Sequence, residues 1–193
     1  MFTPIAKRYF SAGTSHARVA VIGAGAGGTN VVPQLINSGF VKANDITVID
    51  PSKNHHYQAA YTGIGGGIYG DAQTTLGKER KFVVRPQTEV LGATPGLNWI
   101  KQKVTSLDPS NNSVALEDGT ACTYDYLIVS PGISLRFDQI EGAQEALDDR
   151  DAPVGSIYTL SGAYKTSVLR ETFKGGKAVF CVPPFPIKCG GAP

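Results

Sequence analysis

Four residues have the types and spacing to hold a dinucleotide. Gly23, Gly25 and Gly28 stand in GxGxxG spacing, with Gly27 extra, inside RVAVIGAGAGGTN at 18–30. Asp50 closes ITVID, 22 residues after Gly28. The first glycine permits a tight turn out of a strand. The second lets backbone N–H groups approach a pyrophosphate, and the third lets a helix pack closely on the strand. The helix N-terminus then offers free N–H donors and a positive dipole end to the phosphates. An acid ending the second strand accepts from a ribose hydroxyl. Asp50 in place of an arginine speaks against a 2′-phosphate, and so against NADP in this half.

A second candidate is a thiol. After KAVFCV at 177–182 the chain reads PPFPIKCGGAP over 183–193. Prolines have no N–H, so this turn makes a poor phosphate cradle and disfavours NAD(P)H as a hydride donor here. Cys189 follows Lys188 and precedes small residues, and Pro193 suits a helix start. A thiol beside a cation and a helix N-terminus is a better nucleophile. The alternative is a structural cysteine in a loop.

The elements that must carry these residues read as α/β. Val19 to Ile22 and Ile46 to Ile49 are apolar, β-branched runs suited to buried parallel strands. Asn37-Ser38-Gly39 stops the helix between them, and Pro33 is expected to shorten or kink it. Pro51 to Gln58 form a loop at the ligand edge of the sheet. Its neighbouring histidines, His55 and His56, point apart and make a poor metal pair, so no metal site is expected; Tyr57 and Gln58 suit polar contacts to a cofactor better. The run YTGIGGGIYG at 61–70 reads either as backbone approaching a flat ligand or as a flexible loop. A short helix is expected over Arg85 to Leu91 and a third strand over Asn98 to Lys101. Val104 follows, where an adenine would lie beside the backbone.

Asp118-Gly119 predicts a hairpin turn between Val114–Leu116 and a return strand over Thr123–Val129. Ser130-Pro131-Gly132 then brings Gly132 back toward the cofactor. Cys122 reads as an inert, packed thiol. Pro131 to Gly155 is a solvated connector. Ser161 is expected to cap a helix running to about Phe173, with Tyr164, Val168, Leu169 and Phe173 at helical spacing. Lys177 to Val182 reads as a buried strand with Cys181 in the core.

With 193 residues, 41% hydrophobic and 18% charged, the chain is globular, of one or two domains. A net charge of +2 without a basic cluster gives no support for nucleic acid as a partner. No run approaches the length of a membrane span. Three spread cysteines form neither a disulfide framework nor a CxxC pair. Met1 to Asn44 contain no Asp or Glu, while Lys7, Arg8 and Arg18 are basic and Phe2, Ile5 and Tyr9 share a helical face. Arg8-Tyr9-Phe10 before Ser11 resembles a mitochondrial processing site, which predicts a transit peptide within 1–15.

Together, VAVIGAGAGG at 19–28, IDPSKNHHYQ at 49–58, NWIKQKVTSLDP at 98–109, YDYLIVSPGI at 124–133 and VPPFPIKCGGAP at 182–193 resemble the sulfide:quinone oxidoreductases of mitochondrial type. The likeness covers about residues 17 to 193. It implies a Rossmann-like FAD-binding domain of the two-dinucleotide-binding flavoprotein type over 16–135, and the start of a second α/β domain over 136–193. By match, Gly23, Gly25, Ala26, Gly27 and Gly28 would hold the FAD pyrophosphate, Asp50 the adenosine ribose, and Gln58, Val104 and Gly132 would line the cofactor. Cys189 would be one of two redox cysteines bridged through sulfur. Sulfide attacks that bridge and leaves a persulfide; the released thiolate passes two electrons to the flavin, which reduces ubiquinone. Glutathione or sulfite would take the sulfane sulfur.

Members of that family are more than twice this length. By their pattern the second redox cysteine, the quinone pocket and the segments that dock to the inner mitochondrial membrane lie beyond Pro193. The expectation is an amino-terminal portion that is inactive by itself. Two other readings stand beside it: an NADH:quinone-type flavoprotein dehydrogenase on the same scaffold, and a non-catalytic nucleotide-binding domain.

Overall fold

The computed structural model describes residues 13–69 and 80–181. Its centre is a six-stranded sheet in the order β5-β2-β1-β8-β7-β6. The strands are β1 (Thr14–Ile22), β2 (Ile46–Ile49), β5 (Asn98–Ile100), β6 (Val104–Asp108), β7 (Ser113–Leu116) and β8 (Ala121–Val129). β5, β2, β1 and β8 run parallel, and β8, β7 and β6 form an antiparallel meander. A two-stranded ribbon, β3 (Asn54–His56) with β4 (Val84–Pro86), stands apart from it. The helices are α1 (Ala26–Asn37), α2 (Ala59–Gly65), α3 (Arg80–Val83), α4 (Gln87–Gly92), α5 (Ala143–Asp148) and α6 (Leu160–Thr172).

β1 and β2 are central because they are apolar on both faces. Val19, Ala20 and Val21 are at most 1% exposed, and all four residues of β2 are buried. Successive strand residues face opposite sides, so two core layers result. Val19, Val21, Ile46 and Val48 pack with Val32 of α1 and Leu91 of α4. Ala17, Ala20, Ile22 and Ile49 pack with Val114, Leu116, Cys122 and Tyr124 of the meander. Cys122 is packed in the core as expected, and burial pushes its pKa up, which disfavours the reactive thiolate.

The β7–β8 turn forms where Asp118-Gly119 places it. Gly119 sits at φ +86° and donates to the Leu116 carbonyl at 3.1 Å. The Asp118 carboxylate accepts from the Thr120 hydroxyl at 2.6 Å and its N–H at 2.9 Å. Those bonds, with one from Gln102, hold its acid below the usual carboxylate range.

Several expectations need correction. β1 begins at Thr14, not Val19, because Thr14 to Ala17 pair with Ala121 to Tyr124 of β8. The strand thus starts inside the segment read as a leader, whose residues 1–12 lie outside the described ones. Pro33 does not shorten α1, which continues past it to Asn37. The glycine-rich stretch is not a flexible loop over its first part: 59–65 is α2. A Cβ on Gly65 would meet Ile157 at 2.7 Å, so its bareness allows the segment before α6 to lie against α2.

α6 is capped by Thr159, not Ser161: the Thr159 hydroxyl accepts from the Gly162 N–H at 3.0 Å. Its buried residues are the small Gly162, Ala163 and Ser167, while Val168 and Phe173 are exposed. Ala163 joins Ala60, Tyr61, Ile64 and Val83 in a third core cluster. This helix, from the segment expected to open a second unit, therefore packs on α2 of the first. The connector carries a 3-10 turn over Phe137–Gln139 and one short α-helix, α5, at whose end the backbone carbonyls accept from the Lys165 ammonium. Finally, 177–181 is not a buried strand and Cys181 is not core. Val179 and Phe180 are 77% and 92% exposed, and Cys181 is exposed. No described strand lies alongside to give the segment a ladder or a covering face.

Candidate functional site: a phosphate turn at the carboxyl edge of the sheet

β1 and β2 end side by side, and the chain leaves both at one edge. Gly23 follows β1 at φ +95°, a conformation that favours glycine, and donates to the Ile49 carbonyl at 2.9 Å. A Cβ there would lie 2.2 Å from the Ser130 carbonyl oxygen. Ser130 leaves β8 beside it, donating its N–H (2.8 Å) and hydroxyl (3.0 Å) to the Ile22 carbonyl. A Cβ on Gly28 would lie 1.8 Å from the Gly23 oxygen, so α1 can start this close only with glycine there. Gly25 differs: its φ is −73° and a Cβ on it would meet nothing within 4 Å. The turn is tight underneath and open above Gly25.

α1 starts at this open side. Gly25 is its N-cap, no side chain caps the first turn, and that turn carries no acid. Gly25, Ala26 and Gly27 are exposed. Twelve residues of helix therefore direct uncapped N–H groups and a positive dipole end at open space, which suits an anion.

Asp50 lies where an acid was expected, but its carboxylate also braces the turn. Oδ2 accepts from the Ala24 N–H at 2.6 Å and Oδ1 from the Ser52 N–H at 2.7 Å. Each oxygen keeps lone-pair capacity for a ribose hydroxyl. The Trp99 indole N–H donates to the Asp50 carbonyl at 2.9 Å, with the Lys101 ammonium 4.4 Å from the Trp99 ring centre. The Ala24 carbonyl accepts from two side chains, His55 Nδ1 and Gln87 Nε2, each at 3.2 Å.

The expected site residues divide by position. Gly23, Gly25, Ala26, Gly27, Gly28 and Asp50 come together at this turn. Gly132, at φ +78° and exposed, comes two residues after Ser130, where the chain leaves the same edge. Gln58 is the exposed N-cap of α2. Val104 opens β6, pairs with Leu116 and packs against the meander-side core. Cys189 lies outside the described residues. His56 Nδ1 and the Tyr61 hydroxyl are 2.7 Å apart. Burial, then His55, hold the His56 imidazole below its ordinary pKa, and burial, then Tyr164, push the Tyr61 phenol up. Sequence reasoning missed Gln87, which looked like an ordinary first-turn residue of a short helix, and missed what His55 touches.

The profile described as "Pyridine nucleotide-disulphide oxidoreductase" matches residues 17–162. The mitochondrial sulfide:quinone oxidoreductase of Dictyostelium discoideum is 35% identical over 177 residues, 91% of this chain and 36% of that protein. The Mus musculus protein of the same name is 32% identical over 179 residues, 93% of this chain and 36% of the relative. This chain thus spans little more than a third of the length of these relatives. The crystal structure of the Aquifex aeolicus sulfide:quinone oxidoreductase superposes with a TM-score of 0.58 at 25% identity, over 81% of this chain and 32% of that one. A profile match across most of the chain, spanning the turn just described, places the chain in the pyridine nucleotide-disulphide oxidoreductase family.

Proposed function

We propose that the chain forms the FAD-binding part of a mitochondrial sulfide:quinone oxidoreductase. The observation that carries this reading is the 35% identity to a protein of that name over 91% of the chain. The site's geometry is compatible with it. The turn is open only above Gly25, the uncapped start of α1 faces that opening, and Asp50 stands beside it. Those features fit a dinucleotide pyrophosphate with its ribose, and the acid at Asp50 suits a ribose without a 2′-phosphate.

In this reading the N–H groups at Gly25 to Gly28 bind the pyrophosphate and Asp50 orients the adenosine ribose. Gln58, Val104 and Gly132 line the rest of FAD. Bound FAD supplies acceptance of two electrons from a thiolate and their delivery to ubiquinone. Cys189 is one of the two cysteines whose sulfur bridge sulfide attacks, and glutathione or sulfite carries away the sulfane sulfur. The inner mitochondrial membrane is the place of action, because ubiquinone resides there.

Disrupting the gene in its source cells tests the reading. Mitochondria then lose sulfide-driven quinone reduction and keep NADH-driven reduction. Loss of NADH-driven reduction with sulfide oxidation intact would move the function to an NADH:quinone dehydrogenase. Loss of neither would leave a non-catalytic nucleotide-binding chain.

A further inference from the structure

Both backbone polar groups of Ala24 are held by side chains from elsewhere in the fold. Ala24 is the second residue of GxGxxG. Its N–H donates to Asp50 Oδ2 at 2.6 Å, and its carbonyl accepts from His55 Nδ1 and Gln87 Nε2 at 3.2 Å each. A carbonyl only accepts, so His55 carries its proton on Nδ1. His55 comes from β3 and Gln87 from the first position of α4. The Gln87 N–H in turn donates to the Lys53 carbonyl at 2.8 Å. The β3–β4 ribbon and α4 thus grip the turn from beneath.

Gln87 is 1% exposed, and its Oε1 has no hydrogen-bond partner among the described residues. A buried amide with an unsatisfied oxygen costs stability. An apolar side chain of equal length would fold as well or better, so fold stability does not explain this glutamine. The direction it imposes on Ala24 does. In a planar trans peptide the C=O and the next N–H point opposite ways. Two donors drawing the Ala24 oxygen inward turn the Gly25 N–H outward, on the turn that is open above Gly25.

We infer that His55 and Gln87 are positioning residues that clamp the Ala24 carbonyl inward and thereby aim the Gly25 N–H at the cofactor's pyrophosphate. Without the clamp this peptide can rotate, which withdraws a donor and presents a carbonyl oxygen to an anion. The inference rests on the dinucleotide reading for its ligand, while the peptide's orientation does not depend on that reading.

The test uses the full chain with Gln87→Met, His55→Phe and both together. Thermal unfolding checks folding, and Gln87→Met is expected to leave the midpoint unchanged or raised. The orientation of the Gly25 N–H is read by its residual dipolar coupling in ¹⁵N-labelled protein without ligand. FAD affinity is read by flavin fluorescence. The double variant is expected to change the Gly25 coupling and to weaken FAD about tenfold or more, the scale of one hydrogen bond to a charged group. Val114→Ala, which loosens the meander-side core, a cluster that does not include Ala24, is expected to lower the midpoint and leave the coupling alone.

An unchanged Gly25 coupling in the double variant overturns the inference. So does a changed coupling with unchanged FAD affinity. If the wild-type chain binds no FAD, the reading of the ligand fails, and the coupling still decides whether the clamp sets the peptide. Should the double variant not fold, Gln87→Met alone, with a smaller change in the same direction, carries the decision.

Discussion

Gly28→Ala and Gly25→Ala differ by one methyl at two glycines three residues apart, yet the structure gives them opposite fates. A Cβ on Gly28 stands 1.8 Å from the Gly23 oxygen and 2.9 Å from its carbonyl carbon. Real Cβ contacts do not fall below 3.0 Å, so the α1 start must move at least about 1.2 Å from β1. Gly23 cannot yield, because it is held at φ +95° by its bond to Ile49 and lies against Ser130. Overpacking of this kind costs about 1–3 kcal/mol, and a contact with rigid backbone belongs at the upper end. For a chain of this size about 3 kcal/mol lowers the unfolding midpoint by about 6–12 °C. Gly25 already has an ordinary φ of −73° and open space around it. Gly25→Ala should change stability by no more than about 0.5 kcal/mol. Thermal unfolding by circular dichroism measures both. Equal midpoints for the two variants would refute the view that one glycine is bare for packing and the other for a ligand.

Cys122 should label with iodoacetamide far more slowly than Cys181 in the native chain, because burial raises the Cys122 thiol's pKa and so disfavours its thiolate, while Cys181 is exposed; equal rates, read by mass spectrometry of the peptides, would contradict the packing of Cys122. Thr159→Ala should destabilise by about 1 kcal/mol through loss of the α6 cap, and Ser161→Ala by clearly less, both read by urea midpoint. His56 is held below its ordinary pKa of 6.5 by burial and then by His55. Its contribution to stability is therefore complete above that value, where the unfolded chain is neutral too. It is lost as pH falls through the folded-state pKa, since the unfolded state then binds the extra proton. Urea midpoints between about pH 5 and 8 should drop on acidification more for wild type than for His56→Gln; parallel curves would remove His56 from that dependence.

The part of the site that was legible in the sequence is local. Gly23, Gly25 and Gly28 are read from spacing because each answers to a neighbour a few residues away, and Asp50 because it ends an apolar run in register with the first. What was illegible depends on distant partners. Thr14 to Ala17 look polar and loop-like, and they are strand only because β8, over a hundred residues later, pairs with them. The glycines of α2 look like a loop until α6 lies against that helix; helix propensity loses there to close packing. In 177–181 the apolar pattern was right for a strand, but a pattern needs a neighbour to become one. His55 invited a reading as a metal ligand or base, and its part in holding Ala24 follows from a ribbon whose second strand begins 29 residues later. Gln87 carries no sequence signal at all.

The central claim is that the turn at 23–28 holds FAD, and one titration addresses it most directly. FAD is added to the full chain and to Gly25→Ala, and bound flavin is read by fluorescence quenching and by co-elution in gel filtration. Saturable quenching and co-eluting flavin are expected with the wild type. Their loss is expected in Gly25→Ala, which folds equally well but puts a methyl where the pyrophosphate must approach. Flavin bound equally by both proteins, or by neither, would contradict it.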